Sequence, residues 1–294
     1  MIRPLGSLLL CIGLALPVWA QQPSDTESQI QQVVDQAARM DVTQPARETL
    51  DFLDSIENQL EGASPSQLAQ LSLIRARGHI LVTEYDTALE ILENLMAGTL
   101  PPRLRLRTYE LAANLSLHID RYEAGFEYLN RGMELQEQVD DPALKSGIFG
   151  LAAYWHSQLG DETKGLEYGQ RTMELALETG DIRELCVAYE KLGQAEELNG
   201  LYEQALTHYE EGLQACQEAE DPVFVGVMHA LKGRVLFEVG RPEEAETWIR
   251  RGIALAAESG FEDGMTDAMT NYGELLLELG RDREASSVLL EVLD

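Results

Sequence analysis

Basic residues are scarce. The chain has 294 residues, with 22 Lys and Arg against 51 Asp and Glu, a net charge of −29. Phosphate would be repelled from such a surface at long range, so nucleic acid and anionic membrane surfaces are excluded as partners. Long apolar runs are missing after residue 20, where no segment approaches the roughly 20 residues needed to span a bilayer, so no membrane insertion of the mature chain is expected. Histidine is thinly spread: His79, His118, His156, His208 and His229 fall one or fewer per repeat, none at a metal-ligand spacing from another His, Cys or Glu. The 24 glycines form no phosphate-cradling loop, and no Gly-x-Ser-x-Gly elbow occurs. Acidic pairs such as Glu210-Glu211 and Glu243-Glu244 read as solvated helix surface. No catalytic, cofactor or metal constellation is visible, and the chain is expected not to be an enzyme.

With 45% hydrophobic and 25% charged residues, the chain has the composition of an ordinary globular protein. Residues 1–20 read as a cleavable signal peptide, with Arg3, an apolar run from Leu5 to Leu16, the breaker Pro17 and Val18-Trp19-Ala20 before the cut. Cys11 lies inside the apolar run behind Leu10, too early and wrongly flanked for a lipoprotein signal. The expected location is therefore periplasmic or secreted.

Small residues recur along the rest of the chain at a nearly fixed interval. One row is Ala46, Ala88, Gly125, Gly165, Ala205, Ala245 and Ala285; twelve residues earlier stand Val34, Ala76, Ala113, Ala153, Gly193, Gly233 and Gly273. Such a double row is required where two helices cross too closely for a larger side chain. Five residues before the first row, Gly160, Gly200, Gly240 and Gly280 recur, with Asp120 and Thr83 in the same slot of earlier units. There a helix must end with positive φ. Turn formers such as Asp140-Asp141-Pro142, Gly180-Asp181, Asp221-Pro222 and Ser259-Gly260 separate the units.

The clearest unit, YEKLGQAEELNGLYEQALTHYEEGL from Tyr189 to Leu213, resembles the tetratricopeptide repeat in Tyr189, Leu192, Gly193, Gly200, Tyr202, Ala205 and Tyr209. Glu162, Pro242 and Asp282 depart from the aromatic that Tyr85, Tyr122 and Tyr202 supply, and the period is near 40 residues rather than 34. The resemblance implies an all-α superhelical solenoid of antiparallel helix pairs: a degenerate pair over residues 21–64 and six pairs over 65–294. The last pair has no capping helix, which leaves Val288, Leu289, Val292 and Leu293 exposed and points to self-association or to a further domain.

Family members line their concave groove with the first helix of each pair. The residue after each small first-helix position projects there, which gives Arg77, Asn114, Tyr154, Gln194, Arg234 and Glu274 as candidate partner-binding residues. The carboxylate clamp of some members is missing. Gly147 and Gly150 strip side chains from one helix face a turn before Tyr154, and Gly150 marks either ligand space or close helix packing. Cys186 and Cys216 fall at adjoining ends of one antiparallel pair, open to a disulfide or to two buried thiols. The implied function is an exported, non-catalytic scaffold for a protein or peptide partner, with basic partners favoured by charge. Arrays of this length also resemble the periplasmic sensory regions of receptors that carry a diguanylate cyclase or histidine kinase elsewhere.

Overall fold

A computed structural model describes residues 25–292. The expected signal peptide, Cys11 and Leu293 lie outside the described residues. Fourteen α-helices and two short 3-10 segments make up the described chain: α1 (Asp25–Thr43), α2 (Ala46–Ser55), α3 (Pro65–Leu81), α4 (Tyr85–Ala97), α5 (Pro102–His118), α6 (Tyr122–Leu135), α7 (Pro142–Gln158), α8 (Glu162–Thr179), α9 (Ile182–Leu198), α10 (Tyr202–Glu218), α11 (Pro222–Glu238), α12 (Pro242–Ser259), α13 (Glu262–Glu278) and α14 (Asp282–Glu291).

Helix starts follow from local chemistry. Ser64 forms a capping box with Gln67 ahead of α3, and Asp141, Asp181 and Asp221 each accept a hydrogen bond from a first-turn N–H of α7, α9 and α11. Proline fills the first helical position of α3, α5, α7, α11 and α12, where a missing N–H costs nothing. Helix ends depend on positive φ. Thr83, Asp120, Gly160, Gly200, Gly240 and Gly280 all have φ between 55° and 77°, so one backbone turn joins the two helices of six successive pairs. The same conformation recurs between pairs at Gly180, Glu220 and Gly260. Glu220 there has no glycine to announce it.

Consecutive helices pack in antiparallel pairs, and the core is a series of linked clusters between neighbours rather than one centre. Both rows of small residues are buried at the crossings. A Cβ added at Gly125 would lie 2.7 Å from both Ser116 Cβ and the Trp155 ring, and one at Gly193 would lie 2.5 Å from the Tyr209 ring. Glycine is what lets a fully buried tyrosine or tryptophan sit against the facing helix. At the carboxyl-terminal end, Leu289 packs over Gly273 and Val288 joins the core. The expected exposed stripe is thus corrected: Val288, Leu289 and Val292 are half-buried, and Leu290 is the large side chain left open.

Within the α9–α10 pair, His208 Nδ1 lies 2.6 Å from Glu196 Oε2. That hydrogen bond, against the opposing pull of burial, raises the His208 pKa. A raised folded-state pKa stabilises fully below the unfolded value near 6.5 and loses its effect as pH rises through the folded value. His208→Gln is therefore expected to cost on the order of 1 kcal/mol at pH 5.5 and progressively less toward pH 8, as read by urea melts across that range. A cost that grows with pH would contradict the pairing.

Candidate partner-binding site

Successive first helices pack on one another, α3 on α5, α5 on α7, α7 on α9, α9 on α11 and α11 on α13, whereas successive second helices make no comparable contact. The first helices therefore line the inside of the curve. One superhelical turn brings α13 back against α3. Arg47 Nε and Nη2, at the start of α2, donate to the two carboxylate oxygens of Glu262 at 2.9 Å across 215 residues. Tyr85 of α4 donates its hydroxyl to Asp263, and Pro45 lies beside Gly260. A recess of about 20 Å³ lined by Asp41, Arg77, Arg183, Asp221 and Phe261 lies between the meeting segments, room for about one water.

The candidate residues meet different fates on this inner surface. Arg77 Nη1 is committed to Asp41, donating to its Oδ1 at 2.7 Å and its backbone oxygen at 2.8 Å. Arg234 makes two hydrogen bonds to Glu197, one of them at 2.8 Å. Burial alone would lower the Arg234 pKa, but the Glu197 carboxylate holds it above the ordinary value, and Glu197 also accepts from the Tyr209 hydroxyl at 2.7 Å. Asn114 is half-buried and Glu274 is exposed. Tyr154 is half-buried, and its hydroxyl accepts from Gln158 at 2.8 Å. Gln194 is different, because its buried Oε1 finds no donor in the described protein, and neither does Oε2 of Glu190 one turn earlier. The sequence-based row is thus split into spoken-for arginines and an unsatisfied stretch on α9.

Gly150 does not open ligand space. A Cβ there would lie 2.8 Å from Lys191 Cγ and 3.3 Å from Thr172 Cγ2, and one at Gly147 would lie 2.5 Å from Glu110 Oε1. Side chains of neighbouring helices fill both gaps, so these glycines serve packing. Glu110 is itself held by Arg107 at 2.8 and 2.9 Å, and the Glu110 charge raises the Arg107 pKa despite burial. Cys186 and Cys216 are joined by a disulfide with Cα atoms 4.9 Å apart.

Where α13 meets the earlier helices, Tyr85, His118, Asp263 and Asp267 come together from α4, α5 and α13. His118, at the end of α5, has Nδ1 3.4 Å from Asp263 Oδ1 and stacks on Tyr85 with ring centroids 5.6 Å apart. Asp267 stands one turn after Asp263 on α13, with its side chain exposed. The only signal for this cluster in the sequence is the i, i+4 pair of aspartates, which is too common to single out.

No helix among the described residues is long and apolar enough to cross a membrane. No family model matches the chain, and no curated protein sequence matches it. Solved structures do. A Rap protein complexed with competence and sporulation factor superposes with a TM-score of 0.68 at 15% identity, covering 90% of this chain and 76% of that one. NprR in complex with its cognate peptide NprX gives 0.59 at 15% identity, over 90% and 77%. A signal transduction ATPase with a tetratricopeptide repeat sensor from Pyrococcus horikoshii gives 0.51 at 12% identity, over 94% of this chain and 47% of that one. The likeness is one of architecture: this chain has the fold of a tetratricopeptide-type superhelical solenoid of antiparallel α-helix pairs.

Proposed function

We propose that this chain is an exported, non-catalytic scaffold that holds an extended segment of a protein or peptide on the inner surface formed by α7, α9 and α11. The observation that carries this reading is the pair of donorless acceptors, Glu190 Oε2 and Gln194 Oε1, one turn apart on α9. A buried acceptor without a partner costs about 1–3 kcal/mol, and a partner's amide or basic side chain supplies the missing donor. Solved structures with this architecture include a Rap protein complexed with competence and sporulation factor and NprR in complex with its cognate peptide, which supports the peptide class. The net charge of −29 favours basic segments. Export rests on the amino-terminal signal, and the buried disulfide fits an oxidising compartment. Use of the same surface as the sensory part of a membrane receptor is a second reading, favoured by the architecture shared with the repeat sensor of the Pyrococcus protein.

The test is an array of peptides of graded basic content, probed with the purified chain at low and high salt. Captured peptides are expected to be rich in Lys and Arg and to weaken at least tenfold at high salt. Gln194→Met is expected to weaken capture at least fivefold while the melting temperature holds. Indifference of capture to both salt and Gln194→Met would overturn the proposal.

A further inference from the structure

We infer that His118, Asp263 and Asp267 form a binding site for a divalent first-row transition-metal ion that ties the two ends of the superhelical turn together. Each of the three offers one donor atom, and these atoms lie within 4.8 Å of one another. The set mixes one imidazole nitrogen with two carboxylate oxygens, the donor chemistry that zinc and its neighbours accept. A tetrahedral ion with bonds of about 2.1 Å places its donors about 3.4 Å apart. His118 Nδ1 and Asp263 Oδ1 already stand 3.4 Å apart, and the third donor, the Asp267 carboxylate, is open to solvent on α13.

Two further features separate this cluster from ordinary surface acid. Asp263 is 6% exposed, and Asp267 stands one turn away on the same helix. Two carboxylates brought together where α13 meets α4 and α5 repel, and a divalent cation offsets that repulsion directly. Asp263 is also held by a group outside the donor set: Tyr85 donates its hydroxyl to Oδ1 while its ring stacks on the His118 imidazole. One side chain thus orients two of the three donors, as outer-shell partners of metal sites do. Three protein donors leave coordination positions for water, so the site takes an ion that exchanges rather than one sealed in the core. Its consequence is mechanical. The ion joins α5 to α13 and closes the turn that Arg47 and Glu262 also close.

Zinc alone is the probe. The full chain, freed of metal by dialysis against chelator, is titrated with zinc in competition with a chromophoric chelator, beside His118→Gln and Asp267→Asn. One tight zinc per chain is expected, weakened at least tenfold in each variant, with a zinc-dependent rise in melting temperature that both variants lose. Equal zinc affinity in the native chain and both variants would identify only adventitious binding to the acidic surface and would overturn the site, as would the absence of a tight zinc in the native chain. Asp267 is solvent-exposed, so its variant keeps the experiment decisive even where His118→Gln perturbs packing against Tyr85.

Discussion

Replacing Gly233 by alanine is expected to destabilise the protein by about 2 kcal/mol, within the 1–3 kcal/mol range of overpacked sites, although alanine is the better helix former by about 1 kcal/mol. The reason is what the new methyl group meets. A Cβ at Gly233 lies 2.5 Å from Ile249 Cγ1, 2.9 Å from the Ile249 backbone nitrogen and 3.0 Å from the Ala245 carbonyl oxygen. Side chains can swing aside, but two of these three atoms belong to the backbone of α12, so the helix itself must move. Gly252 on α12 faces the same difficulty from the other side, 2.9 Å from the Ala230 nitrogen and 3.0 Å from the Gly226 oxygen. Helices α11 and α12 thus approach backbone to backbone.

Gly226 supplies the control, because it sits on the same helix and a Cβ there meets nothing nearer than 3.4 Å. Gly226→Ala is expected to stabilise by about 0.5–1 kcal/mol, from helix propensity and the lost freedom of the unfolded chain. Gly240→Ala meets no atom within 4 Å but holds φ at +77°, and the left-handed conformation alone costs about 1–2 kcal/mol. Three glycine-to-alanine changes within fifteen residues are therefore expected to give a rise, a large fall and a moderate fall in urea midpoint. Equal shifts at Gly226 and Gly233 would show that the small-residue rows do not set the helix spacing.

The same contrast explains what could be read from the sequence. A steric constraint that repeats every 40 residues writes itself into the chain seven times, so Ala205, Ala245 and Gly165 identify one another and the helix pairing follows. Positive φ was legible at Gly160 and Gly200 for the same reason, whereas Glu220 adopts it without glycine and left no trace. The inner surface was legible only as a set of positions. Arg77 and Arg234 do face inward, but their partners Asp41 and Glu197 come from other repeats at offsets of 36 and 37 residues, and no rule of periodicity says which inward charge is already neutralised. Gly150 was ambiguous because a missing side chain looks the same whether a ligand or Lys191 fills the gap. The meeting of His118 with Asp263 was beyond reach of any local pattern, since it depends on the accumulated curvature of five helix pairs.

The Cys186–Cys216 disulfide carries the second large expected effect. It closes a loop with a sequence separation of 30, for which the chain-entropy treatment gives about 3–4 kcal/mol of stabilisation by restricting the unfolded chain. Both cysteines are fully buried, so a reductant reaches the bond only after the α9–α10 pair opens. Reduction of the native protein is therefore expected to be slow in water and fast in mild urea, followed by a fall in stability of about 3 kcal/mol. Position magnifies the consequence. A solenoid is held by nearest-neighbour interfaces, and α9–α10 lies between α8 and α11 in the middle of the stack, so loosening this pair uncouples the first eight helices from the last four. Hydrogen exchange on the reduced chain is expected to show protection lost first in α9 and α10, with α11 and α12 keeping theirs longer through their backbone-close packing. Free thiols on the unreduced protein, or a urea midpoint unmoved by reduction, would remove the bridge from this account and leave the small-residue rows to hold the central pair alone.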